Sequence, residues 1–159
     1  MASRRKAREA LLKGLYLGES RGITVEEAFE EMEAIDREIE MGTDDPDAPS
    51  LKPFALGLDD KQKEFALALA LRIERSKDTF NEDIQAVLEN WDISRVSRID
   101  RFIMWIALAE MKFMPDIPPN VSINEAIELA KKFSSEKSPG FINGILDAVA
   151  RNMGVIKKS

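Results

Sequence analysis

Three groups of residues have the types and spacing to do chemistry. The first is Arg4, Arg5, Lys6 and Arg8, a concentration of cations at one end of the chain. Residues three and four apart are neighbours on a helix, so Arg4, Arg5 and Arg8 are expected to project from one side. Guanidinium forks match phosphate oxygens two at a time. Arginine-rich segments with stacking residues nearby are a common way to hold RNA. A solvated helix start is the plainer reading. Against it, cations at a helix N-terminus oppose the macrodipole by about 0.3–1 kcal/mol each. The second group is Glu26, Glu27, Glu30, Glu31, Glu33 and Glu38. Helical di-iron sites pair such carboxylates with histidine in Glu-x-x-His, and this chain has no histidine. A solvated acidic face is therefore expected, with no metal. The third is Phe141, following Ser138-Pro-Gly140, with Lys131, Lys132 and Lys137 before it. A helix start attracts phosphate, and an aromatic there is either core or a platform for a base.

Composition narrows the choice. The 159 residues are 44% hydrophobic and 33% charged, the size of one ordinary domain. No cysteine and no histidine occur. This excludes disulfides, thiolate metal sites, thiol nucleophiles and the commonest general base. No apolar run approaches the roughly 20 residues that span a bilayer, and no signal-peptide pattern follows the basic start. The expectation is a cytoplasmic protein that does not enter membranes, in which any catalysis would have to rely on Asp, Glu, Lys, Ser, Thr or Tyr alone. The net charge of −6 argues against nucleic acid, but its distribution does not. Residues 1–13 carry five basic groups against one acidic, and residues 19–49 carry two against twelve. The remaining residues, 50–159, hold sixteen of each sign. The asymmetry is more informative than the sum.

The elements that must position these residues are helical. Ala7, Ala10, Leu11, Gly14 and Leu15 form one stripe of a first helix. Thr24-Val-Glu-Glu27 is a capping box opening a second helix, which Gly42 ends. Residues 43–57 hold three prolines and three aspartates and read as a loop. A long helix over 60–89 follows, with a break expected near 76–79, where propensity is weak. Trp91-Asp-Ile-Ser94 reads as a junction. A helix over 95–113 places Val96, Ile99, Ile103, Ile106, Ala107 and Met111 inward. Ser122-Ile-Asn-Glu125 reads as a second capping box. Ser138-Pro139 places a cap before a proline at the first position of the last helix. No strand alternation or internal repeat is found. The fold class is all-α, with six or seven helices.

Several of these runs resemble the NusB family of bacterial transcription antitermination factors. Val121-Ser-Ile-Asn-Glu-Ala-Ile-Glu-Leu-Ala-Lys-Lys-Phe133 with Phe141-Ile-Asn-Gly-Ile-Leu-Asp147 is similar to that family's C-terminal signature. Arg4-Arg-Lys-Ala-Arg-Glu-Ala-Leu-Leu-Lys-Gly-Leu-Tyr16 is similar to its arginine-rich opening, and Arg98-Ile-Asp-Arg101 through Glu110 to its central helix. The resemblance implies one domain over 1–159, built as about seven helices in two small bundles. It implies binding of boxA single-stranded RNA together with NusE, the small-subunit ribosomal protein, and it implies no enzyme activity and no cofactor. It further implies joining RNA polymerase with other Nus factors and suppressing premature termination, notably in ribosomal RNA operons. By position it assigns Arg4, Arg5, Lys6, Arg8, Tyr16 and Phe141 to RNA, and Asp100 and Arg101 to the NusE-facing helix. Lys137 stands where the family often has an acid, and its positive charge is expected to favour RNA. Trp105 and Ala109 also depart from the family pattern, as does a longer, more acidic 36–58. Relatives occur as monomers and as dimers, which leaves a homodimer open. The rival expectation is a protein-interaction or ribosomal RNA maturation module with no RNA binding of its own. A free-standing methyltransferase is not expected, since the sequence has no Rossmann-type glycine motif and no cysteine nucleophile.

Overall fold

The computed structural model describes residues 2–156. Six α-helices and two short 3-10 turns make up the regular structure among the described residues. The chain divides into two compact units, Met1–Ala68 and Leu69–Ser159. The division falls inside the third helix.

The first unit holds α1 (Ala2–Arg21), α2 (Val25–Met41) and the start of α3 (Asp60–Val87). The expected α1 stripe is buried: Ala7, Ala10, Leu11 and Leu15 are all in the core. A Cβ on Gly14 would lie 2.9 Å from the Phe29 ring and 3.0 Å from Val25. Glycine at this position thus lets α1 approach α2. Thr24 caps α2, but the Glu27 carboxylate accepts from the Thr24 hydroxyl where the capping box expects it to accept from a backbone N–H. The Thr24 hydroxyl oxygen accepts from the Glu27 amide at 3.0 Å, and its O–H donates to the Glu27 carboxylate at 3.2 Å. Gly42 closes α2 at φ 73°, its N–H donating to the carbonyls of Glu38 and Ile39. The 43–57 segment contains a 3-10 turn at Lys52–Phe54. Its second half is tied down: the Leu56 amide donates to the Met32 carbonyl at 3.2 Å, and the Gly57 amide to Asp36 at 3.1 Å. Leu56 itself is buried. α3 starts on a reciprocal box, in which the Gln62 amide donates to Asp59 at 2.8 Å and the Asp59 amide to Gln62 at 2.9 Å.

In the second unit α3 continues unbroken to Val87. The break expected at 76–79 does not occur. Ile73, Phe80 and Ile84 flank that stretch and are buried, and packing overrides weak local propensity. A 3-10 turn at Ile93–Arg95 leads to α4 (Arg98–Phe113), capped by Ser97, then α5 (Pro119–Phe133) and α6 (Ser138–Asn152). α4 is buried continuously from Phe102 to Met111, not along one stripe. A helix apolar all round is a core helix. Three of its polar side chains find partners across the core. The Trp105 indole donates to Asn81 at 2.8 Å, the buried Glu110 accepts from Ser122 at 2.9 Å, and Lys112 pairs with Asp83 at 2.6 Å. α5 packs on both α4 and α6.

Two expected helix starts are corrected. α5 begins at Pro119, so Ser122 lies inside the helix and spends its hydroxyl on Glu110 instead of a backbone amide. Ser138 is the first residue of α6, with Lys137 at the cap position and no side-chain cap bond. The Ser138 hydroxyl goes to Asp100, at 2.9 Å. In both cases a buried carboxylate outcompetes the helix end, because hydrogen bonds to charged acceptors are the stronger ones.

Candidate nucleic-acid interface

In the first unit the cations of α1 separate into two kinds. Arg5 and Lys6 are exposed. Arg4 and Arg8, one turn apart, lie over the ring of Phe65, at 4.8 and 5.6 Å from its centroid. Arg8 is only 2% exposed, while Arg4 is half-buried. Placing Arg4, Arg5 and Arg8 on one exposed side is therefore corrected. Arg8 belongs to the interior, where its flat guanidinium stacks on an aromatic face. Tyr16 is 43% exposed on the same helix.

In the second unit the start of α6 carries the other candidates. Lys137 is exposed at the cap position, and no acid occupies the first turn. The positive end of the helix and a lysine therefore coincide. Phe141 is partly exposed, and its ring lies 6.0 Å from that of Trp91, tilted by 40°. Lys131 and Lys132 are exposed in the last turn of α5.

The partner-facing pair is corrected in part. Asp100 is 8% exposed and accepts from Ser138 at 2.9 Å and from Ser134 at 2.5 Å. The two serine hydroxyls are 2.9 Å apart, and Ser135 lies 2.8 Å from Ser138. The Asp100 carboxylate thus joins α4 to the α5–α6 connection and is not offered to a partner. Arg101 keeps partial exposure, its guanidinium 5.6 Å from the Trp105 ring centroid. In the acidic helix Glu26, Glu27, Glu30, Glu31 and Glu38 are exposed, and Glu33 pairs with Lys63. That hydrogen bond with Glu33 raises the Lys63 pKa above its usual value. No group of three acids suited to a metal ion occurs among the described residues.

The model of the NusB family matches residues 5–151. The chain belongs to the NusB family. It is 41% identical over 144 residues to the transcription antitermination protein NusB of Clostridium botulinum strain Kyoto, covering 91% of this chain and 96% of that protein. It is 38% identical over 150 residues to the NusB of Myxococcus xanthus, covering 94% and 96%. Among solved structures, T. maritima NusB superposes with a TM-score of 0.69 at 32% identity, over 93% of this chain and 90% of that one. A structure of antitermination factors NusB and NusE with double-stranded RNA has a TM-score of 0.69 at 22% identity, over 96% and 98%. At that identity it speaks for the fold.

Within this NusB-family fold, sequence reasoning missed two things. By sequence Trp91-Asp-Ile-Ser94 reads only as a junction, and the four-residue spacing of Trp91 and Arg95 is the local signal that could have pointed to their contact. Ser138 likewise reads as a local cap. Ser134 and Ser138 stand one turn apart in sequence, but their shared acceptor, Asp100, lies 34 and 38 positions away. No local pattern announces it.

Proposed function

We propose that this protein acts in transcription antitermination by binding boxA single-stranded RNA together with NusE. The pair then joins RNA polymerase and other Nus factors and suppresses premature termination, notably in ribosomal RNA operons. One observation carries the RNA reading: Arg5 and Lys6 stay exposed in the first turns of α1, where they oppose the helix macrodipole. An exposed guanidinium and ammonium side by side present donors that match phosphate oxygens. In the second unit, Lys137 and Phe141 supply a cation and a ring at the start of α6. Arg4 and Tyr16 supplement the first set, and Arg101 contributes to the NusE side. The work is binding, with no catalytic step and no metal. The absence of histidine and cysteine from the chain suits that role. No helix among the described residues is long and apolar enough to cross a membrane, and the place of action is the cytoplasm, with the polymerase.

The test is a titration of labelled boxA RNA with the purified protein, with and without NusE. Binding that tightens when NusE is added supports the reading. Binding of NusE with no effect on RNA affinity, and none without it, would replace it with a protein-interaction module.

A further inference from the structure

The turn before α4 displays an aromatic that the function above does not use. Trp91 is 47% exposed, which is unusual for so large an apolar side chain. Its backbone is nevertheless held from both sides. The Gln85 amide of α3 donates to the Trp91 carbonyl at 2.7 Å, and its oxygen accepts from the Ile93 amide at 2.8 Å. Asn90 adopts φ 60°, a left-handed conformation that asparagine tolerates better than most residues. Asp92 then accepts from the Ser94 amide at 2.9 Å and caps the 3-10 turn. A tryptophan exposed on a braced turn is pre-organised, so a ligand stacking on it loses little further entropy.

Its neighbours indicate the ligand. The Arg95 guanidinium lies 5.8 Å from the Trp91 ring centroid, and the Phe141 ring 6.0 Å away. The two rings are near neighbours, and both keep some exposure to solvent. Arg95 thus places a cation against the pair, and Lys137 lies one turn before Phe141 at the start of α6. Aromatic faces interleaved with cations are how proteins hold unpaired bases and the phosphates between them. A protein partner would be expected to cover the apolar rings with apolar groups, and the flanking cations would then need acids.

We propose that Trp91 and Arg95 extend the RNA site of the second unit, Trp91 stacking an unpaired base next to the one on Phe141 and Arg95 contacting the adjoining phosphate. This rests on the RNA reading above. The probe is a boxA RNA oligonucleotide with saturating NusE, read by affinity and by tryptophan fluorescence. The chain has two tryptophans, and Trp105 is only 6% exposed, so Trp91 dominates any RNA-induced change. Wild-type fluorescence should be quenched on RNA addition. W91A should weaken RNA binding by about 5- to 150-fold, the loss typical of one base stack. W91F should keep most of the affinity while abolishing the quench, which a merely structural role would not do. R95Q should reduce the salt slope by about 0.7. Wild-type RNA affinity and slope in W91A and R95Q, with R5A still weakening binding, would overturn this proposal and leave the RNA reading standing. Loss of NusE capture by W91A with RNA binding unchanged would assign the surface to protein instead. No RNA binding by the wild type would end both.

Discussion

Replacing Arg5 and Lys6 together by alanine separates a surface role for α1 from a structural one. Apart from Arg95, whose proposed contact adds equally to the wild type and to every variant below, four cations with solvent access are proposed to meet phosphate: Arg4, Arg5 and Lys6 on α1, and Lys137 at α6. For single strands each phosphate contact adds about −0.7 to the slope of log K against log salt, so four give about −2.8. Between about 50 and 200 mM salt, that slope lowers affinity by roughly 50-fold. The R5A/K6A variant keeps two contacts, a slope of about −1.4 and a loss of roughly 7-fold over the same range. Arg8 provides the contrast. It is buried over Phe65, so R8A removes an interior cation–ring contact of about 2 kcal/mol and lowers the melting temperature. Where R8A remains folded, its slope equals that of the wild type. Fluorescence anisotropy of labelled boxA RNA with NusE in excess, at four or more salt concentrations, measures these slopes. A wild-type slope in R5A/K6A, or a slope in R8A reduced as far as that of the double variant, refutes the division of α1 into surface and interior cations.

Other outcomes follow from packing and charge. D100A should lower unfolding free energy by about 2–3 kcal/mol in a denaturant titration, since it removes the carboxyl group that accepts from both the Ser134 and Ser138 hydroxyls. A change under about 0.5 kcal/mol would return Asp100 to a surface role. G18A should cost about 1–3 kcal/mol, because its Cβ would sit 2.8 Å from the Ile23 carbonyl oxygen, a backbone atom that cannot step aside. G144A, in α6 with nothing within 4 Å, should instead gain about 0.5–1 kcal/mol, and thermal melts that rank the two variants the other way contradict the packing described. The Ser94 amide, then its hydroxyl, hold the Asp92 carboxylate below its usual 3.8. A pKa depressed by folding stabilises above the unfolded value and is lost as pH falls through the folded one. The melting-temperature gap between wild type and D92N should thus be constant at neutral pH and narrow only below 3.8; a gap that changes between about pH 6 and 8 is inconsistent with this cap.

Much of the local structure was legible along the chain. The α1 stripe, the Thr24 cap, the Gly42 stop and the helical run from 60 are short-range features, set by groups within four residues of one another. The reciprocal Asp59–Gln62 box was equally local and stands in plain view in the sequence. Where reading failed, a distant partner had changed the use of a side chain. Ser122 and Ser138 have the right type and place for caps, yet each bonds a buried carboxylate on α4. The helix through 76–79 has weak propensity, yet Ile73, Phe80 and Ile84 hold it in the core.

By itself, the sequence determined that the protein is helical, that its acidity is confined largely to one stretch, and that it lacks the side chains for thiol or imidazole chemistry. Charge and periodicity are additive along a chain, so counting them suffices. Only the tertiary structure decided which cations can meet an anion. Arg5 and Arg8 are the same residue type three positions apart, but Phe65 lies under one of them and solvent over the other. Likewise Asp100 and Arg101 are adjacent, and the two serines that take up the aspartate come from the end of α5 and the start of α6. Burial depends on what the chain brings back from far away, which spacing on a single helix does not encode.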